Sequence, residues 1–338
     1  MPNAPLYPEA KPFDGDVLIL CEGDAVSYES QLLKAWADTT NLNGRFVKAM
    51  SCGTTTALLG MADAVGRTIP IIVVEDRDFR TLEEARKECD KNLKNREDRN
   101  VAMRGWVSWQ RAEIENYFTD DSVLPPVFGD VFECDEDDVR AAVRSALSEL
   151  TVAQALEYAL YRARKSWLST DANRALRVQS VQWNARGRTR LSAEEVRNKL
   201  TGRLDKWQKS LHDGSTWEDP MAGQQLLADF DTKCNDWSNL AYEESTWRRD
   251  WGCKEVIKHV RMTLAQSKPG WWSTAEHPEQ SVKWGSMKDD KTRDAHDRFL
   301  ERTIQPKLVK AVTAQLSIST PFDLRAELDN LAAIIRTV

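Results

Sequence analysis

The stretch "IIVVEDRDFR" (residues 71–80) runs four consecutive apolar residues, Ile71 to Val74, straight into Glu75-Asp76-Arg77-Asp78. A short, β-branched apolar run of this kind predicts a buried strand, as found inside a parallel sheet. Three carboxylates in four residues at its end repel one another, and that placement needs a cause. Ligands of open parallel sheets sit beyond the carboxyl ends of the strands. Asp76 and Asp78, two apart on an extended exit, point to the same side. Like charges held this close are costly unless a cation lies between them. Oxygen ligands of this hardness suit Mg²⁺ or Mn²⁺ rather than zinc. The competing reading is a solvated turn at a helix N-terminus, where the helix dipole favours acids.

Working outward, strand and helix signals alternate. "DVLILC" (16–21) reads as a strand, followed by a helix whose Leu32, Leu33 and Trp36 share one face. "GRFVKAM" (44–50) is a second strand and "SCGTTTALLGMADAVG" (51–66) a turn opening a helix. Strand three is the opening stretch, "TLEEARKECDKNL" (81–93) a polar helix, and "VAMRGWVSW" (101–109) strand four. This alternation predicts an α/β fold, a parallel sheet flanked by helices, over residues 14–130. After Pro125-Pro126 only helical patterns follow, among them "DEDDVRAAVRSALSEL" and "TVAQALEYALYRARKSWL". Residues 131–250 then form a helical, basic, Trp-rich insertion, and 251–338 a helical C-terminal part. Met1 to Phe13, with four prolines and no apolar core, reads as a flexible tail rather than a signal peptide.

Of the 338 residues, 41% are hydrophobic and 30% charged, a soluble globular composition. No apolar run is long enough to cross a bilayer, so no membrane partner is expected. Six cysteines include no CxxC pair and the four histidines are isolated, which argues against a zinc site or a disulfide framework and suits a reducing cytoplasm. The net charge of −6 does not suggest a general nucleic-acid glue but can hide a local basic face.

Two further acidic stretches join the first: "LILCEGD", which leaves Glu22 at the end of strand one, and "RAEIENYF" (111–118), which supplies Glu113 and Glu115 after strand four. A strand ending in Glu-Gly, a later strand ending in Asp-x-Asp and the alternation between them resemble a Toprim domain, a Rossmann-like α/β fold. The "DRDF" and "EIENY" wording resembles the OLD-like nuclease branch of stand-alone Toprim proteins found in phage defence. The resemblance covers roughly residues 14–120 and a stretch near residue 254. It implies Glu22 as metal ligand and general acid/base, and Asp76 and Asp78 as the metal-binding pair. It also implies Glu115, with Glu113, at a second metal position. "WGCKEVIKHV" (251–260) resembles the start of the family's lysine-bearing helix, which implies Lys254 stabilising charge on a transferring phosphate. Two departures stand out. Cys253 separates Gly252 from Lys254, and Val26 replaces a second acid four residues after the first, leaving Asp24 or Glu29 as substitutes.

The function implied is Mg²⁺- or Mn²⁺-dependent cleavage of nucleic acid by the toxic effector of an anti-phage system. A separate ABC-type ATPase sensor would be its partner, and a homodimer stays open. Primase-like chemistry and a catalytically silent nucleic-acid-binding regulatory module are the alternatives. Residues 161–210 hold thirteen Lys and Arg against four acids, a formal +9, and "ARGRTR" (185–190) presents Arg186, Arg188 and Arg190 as phosphate contacts. Trp167, Trp183 and Trp207 lie in the same block, which favours a structured RNA such as tRNA over duplex DNA. Trp271-Trp272 are the best candidates for base stacking, and most other tryptophans are expected in cores. "SCGTTTALLG" lacks GxxxxGK[ST], so a helix cap is expected there rather than ATP binding. His259 is expected on the surface.

Overall fold

The computed structural model describes residues 16–22, 27–42, 47–52, 70–97, 103–166, 192–211, 222–267, 290–317 and 323–337. The expected tail (1–13) lies outside them, as does the helix expected in 51–66 beyond Cys52. Strands β1 (Val17–Glu22), β2 (Val47–Cys52), β3 (Ile71–Glu75) and β4 (Met103–Ser108) build one sheet in the order β2-β1-β3-β4. Every neighbouring pair is parallel. The two central strands are the two apolar runs, and Val17 to Cys21 and Ile71 to Val74 are fully buried. A central parallel strand is covered on both faces, which is why these runs do not alternate with polar residues.

Helix α1 (Tyr28–Thr39) starts at Ser27, whose hydroxyl accepts the Ser30 N–H, and it buries Leu32, Leu33 and Trp36, the face expected from their spacing. Helix α2 (Leu82–Glu97) opens on a reciprocal cap: Thr81 N–H donates to Glu84 Oε2 (2.8 Å) and Glu84 N–H to Thr81 Oγ1 (3.2 Å). Among the described side chains of this polar helix, only Ala85 and Cys89 are buried. Cys89 packs in a cluster with Leu18, Leu20, Ile71, Val73, Met103 and Trp106.

The remaining helices are α3 (Leu124–Phe132), α4 (Glu136–Ser166), α5 (Ala193–Leu211), α6 (Ala222–Trp237), α7 (Ser245–Asp250), α8 (Cys253–Ser267), α9 (Asp290–Ser317) and α10 (Asp323–Thr337). None of the described helices is long and apolar enough to cross a membrane. By contact the chain forms two compact units, Met1–Ile114 with Val309–Val338, and Glu115–Leu308. The division falls earlier than the expected boundary near residue 130, and the end of the chain joins the α/β unit. In α10, Leu324, Leu328, Leu331 and Ile335 are buried, and the helix packs on β4. Helical spacing announces an apolar face but not the surface it will cover. At the crossing, a Cβ on Gly105 would lie 3.2 Å from Ile334 Cγ2 and 3.3 Å from Ile72 Cγ2, so close approach favours glycine there. Just before it the register slips, Met103 facing Ile71 and Gly105 facing Ile72, which leaves Arg104 as the extra residue of a bulge.

In the second unit α4 packs on α3, α6 and α8, and α5 packs on α6. Two helical segments of the sequence fuse here into a single 31-residue helix. Thr151, which reads as a helix start, turns its hydroxyl back onto Leu147 O (2.8 Å) and lets the helix continue.

Candidate functional site

The order of the sheet reverses between β1 and β3: the chain leaves β1 for β2 on one side and returns to β3 on the other. In open α/β sheets the crevice beyond the carboxyl ends at such a reversal is where ligands bind. Cys21 is aligned with Val74, so Glu22 and Glu75 end adjacent strands at that same edge. The position of Glu22 is set by the β1 backbone; its side chain lies outside the described residues.

The carboxylates after β3 separate by strand alternation. Glu75 turns into the α2 face, where it is 6% exposed. It accepts hydrogen bonds from Arg80 Nη1 (2.7 Å) and Trp106 Nε1 (3.0 Å). Arg80 also reaches Glu88 (3.1 Å) and donates to the carbonyls of Arg77 (2.8 Å) and Asp76. Arg77, also buried, donates from Nε to Gln110 O (2.8 Å) and from Nη1 to Arg80 O. Both arginines of "EDRDFR" thus wrap the loop they belong to, and one of its three acids is neutralised inside the fold. Burial and the neighbouring Glu75 push the Cys89 thiol up to about 12, which keeps it protonated and unreactive at neutral pH.

Asp76 and Asp78 are half-buried. Asp76 Oδ1 accepts the Ile114 N–H (3.0 Å), and the Asp78 N–H donates to Ala112 O (2.7 Å). Glu113, half-buried, sits between those two anchors, so the loop after β4 is laced to the loop after β3. Asp78 has a φ of 53°, a left-handed conformation that Asp tolerates better than most L-residues. The C-terminal helix holds the β4 loop from outside. Gln110 N–H donates to Glu327 (2.9 Å), and Arg111 grips Asp323 through Nε (2.9 Å) and Nη2 (2.8 Å). Glu29, one of the two substitutes for a second acid, is 2% exposed, and its Oε1 accepts the Trp109 Nε1–H (2.6 Å). Asp24 lies outside the described residues.

The structure therefore brings Asp76, Asp78 and the Glu113 backbone together and puts the end of β1 at the same edge. Among the described residues, no group of three or more His, Cys, Asp or Glu side chains is placed to hold a metal ion. By the chemistry of its donors an Asp-x-Asp pair is of the kind Mg²⁺ accepts, since that ion retains several waters and takes one or two carboxylates plus substrate phosphate oxygens.

Glu115 and Lys254 belong to the second unit. Glu115 lies on the 3-10 helix Ile114–Thr119 and is 9% exposed. Its neighbour Asn116 is fully buried and donates to Arg248 O (3.0 Å) and Trp251 O (2.8 Å), which ties this helix to the start of α8. Lys254 is exposed on the first turn of α8. Gly252, just before, exchanges two hydrogen bonds with the Gln154 amide (3.0 and 3.2 Å). The intervening Cys253 is fully buried, accepting from Thr119 Oγ1 (3.9 Å), so the residue that departs from the family wording fills the interior. His259, expected on the surface, is 2% exposed, with Nε2 at 3.1 Å from Glu149 and Nδ1 at 3.3 Å from Thr263. Apolar neighbours on α8 bury the face that carries it.

Arg186, Arg188 and Arg190 lie outside the described residues, as do Trp167, Trp183, Trp271, Trp272 and the Trp207 side chain. Trp36, Trp106, Trp109, Trp237, Trp247 and Trp251 are buried, the core role expected of most tryptophans. Cys21, Cys89, Cys134, Cys234 and Cys253 are thiols, none in a disulfide. Sequence reasoning missed the anchoring roles of Arg77, Arg80 and Trp109. The signal for Arg80 was present, since Glu75 on the opposite side of the strand from Asp76 requires a buried partner. No family model, curated protein or solved structure matches the chain.

Proposed function

We propose that this chain is a Toprim-type, Mg²⁺- or Mn²⁺-dependent nuclease acting on phosphodiester bonds of nucleic acid. A structured RNA is favoured over duplex DNA, and the setting is the toxic effector of an anti-phage system with a separate ATPase partner. The observation that carries the reading is the Asp76-x-Asp78 pair on the loop leaving β3, beside the end of β1, at the reversal of the sheet. A divalent cation supplies electrostatic stabilisation of the phosphate and lowers the pKa of attacking water. Asp76 and Asp78 would hold and orient that cation; the Ile114 N–H fixes the Asp76 carboxylate, and the bond from the Asp78 N–H to Ala112 O fixes the backbone that carries Asp78. Glu22 would serve as ligand and proton carrier and Glu113 as an additional acid; the family resemblance implies further roles for Glu115, as an acid, and for Lys254, as a cation on the phosphate.

A catalytically silent nucleic-acid-binding module is the second reading, favoured by the lack of a three-ligand group among the described residues. One experiment separates them. Purified protein is incubated with plasmid DNA and with total RNA, in Mg²⁺ or in EDTA, beside Asp76→Asn and Asp78→Asn. Cleavage that needs the metal and both aspartates supports the nuclease. Binding without cleavage supports the silent module, and cleavage that survives EDTA refutes the metal site.

A further inference from the structure

The sheet ends at β4, whose outer edge has no strand neighbour among the described residues. Register determines which backbone groups that edge shows. Ser108 is aligned with Glu75, and the Trp109 N–H donates to Glu75 O (3.1 Å). In a parallel pair the N–H and C=O of one residue turn to the same side and those of the next residue to the other. Val107 and Trp109 therefore face β3, while the N–H and C=O of Trp106 and Ser108 face outward. Two helices flank this edge on opposite faces of the sheet. On the Ile71/Val73 face, Cys89 of α2 packs with Trp106. On the Ile72 face, Ile334 of α10 comes down over Gly105. Between them lies a cavity of about 390 Å³, lined by Ala85 of α2, Ala326 and Leu331 of α10, and Trp106 to Ser108 of β4.

We infer that this slot takes one extended peptide segment of a partner protein, added to β4 as a fifth strand. An outward edge of alternating donors and acceptors is satisfied by an extended backbone, which carries the complementary groups at the same two-residue spacing. Successive side chains of an added strand point in turn to the α2 face, where Ala85 lines the slot, and to the α10 face, where Ala326 and Leu331 line it, so both sets meet small or aliphatic walls. Arg86 and Asp90 of α2 and Asn330 of α10 also line the slot, so each face offers polar contacts beside the apolar ones. A second copy of the chain fits poorly, because its own β4 arrives with an α2 and an α10 that would meet the pair already present. The bonds that Gln110 and Arg111 donate to Glu327 and Asp323 tether α10 to the β4 loop, and Gln110 and Glu327 form part of the slot's lining.

The test uses the full chain and a pool of capped hexapeptides in which β-branched and polar residues alternate, at millimolar concentration. The readout is amide hydrogen exchange. The amides of Trp106 and Ser108 slow by roughly tenfold or more when the strand is added, since exchange then requires its release. N-methylation of every second residue abolishes this in one register and leaves it in the other. Ala326→Trp, which fills the slot from an exposed helix position, abolishes it with helix content unchanged. Unchanged exchange at both amides overturns the inference, and so does equal loss from both N-methyl registers. Protection that grows with protein concentration in the absence of peptide also overturns it, by assigning the edge to a second copy.

Discussion

Replacing Arg80 by methionine tests whether the ion pair under the candidate site holds that end of the sheet. Both side chains are 8% exposed and the Arg80–Glu75 contact is 2.7 Å. Removing one partner of a buried pair leaves an uncompensated charge and costs about 3–5 kcal/mol. Glu75→Leu removes the buried acid instead. Arg80 then keeps Glu88 and the carbonyls of Arg77 and Asp76, while Trp106 Nε1 loses its acceptor. The expected loss is about 1–3 kcal/mol. The double variant Glu75→Leu/Arg80→Met buries neither charge of the pair and is expected to recover about 0.5–3 kcal/mol of the summed losses. Urea titrations of the four proteins, followed by tryptophan fluorescence, supply the cycle, with the slope expected to stay constant. A loss under about 1 kcal/mol for Arg80→Met, the value of an exposed pair, would refute the reasoning. So would a double variant that equals the sum of the singles within about 0.5 kcal/mol.

Asp78, at a φ of 53°, is expected to tolerate glycine without loss of stability, whereas Asp78→Val loses about 1–2 kcal/mol in the same titration. Equal midpoints would show that the turn does not need the left-handed conformation. In the second unit, the hydrogen bond from Arg140 holds the Asp121 carboxyl below its ordinary value of 3.8. A depressed acid contributes stability above its unfolded value, and the contribution is lost as pH falls through the folded value. The stability gap between parent and Asp121→Asn should therefore be full at neutral pH and shrink as pH falls from 3.8 through the lower folded value; a gap that does not change with pH rejects the coupling. Replacing Arg186, Arg188 and Arg190 together should reduce the salt dependence of RNA binding by up to ~3 units of log–log slope. Superimposable salt curves would move the substrate surface elsewhere.

Local pattern was enough for the α/β core. The apolar runs at 17–21 and 71–74 are strands because nothing else buries so many β-branched residues in so short a length, and both lie at the centre of the sheet. The face of α1 was equally legible, since it depends on residues three or four apart. The acids Asp76 and Asp78 on the exit of β3 were legible, but the extended exit expected to turn both to one side does not form, since Asp78 takes a left-handed φ of 53°. Other features depend on partners distant in the chain. Glu75 is bound by Trp106, Glu29 by Trp109, and the β4 loop by Asp323 and Glu327. Helical periodicity in 323–337 could not assign that helix to β4 rather than to the helical unit, because an apolar stripe states that a surface is needed and not which one. The sequence by itself determined the elements and the acids at their ends. Only tertiary structure decided which acid is neutralised inside and which pair is left at the reversal of the sheet, because strand order and register set which side chains meet.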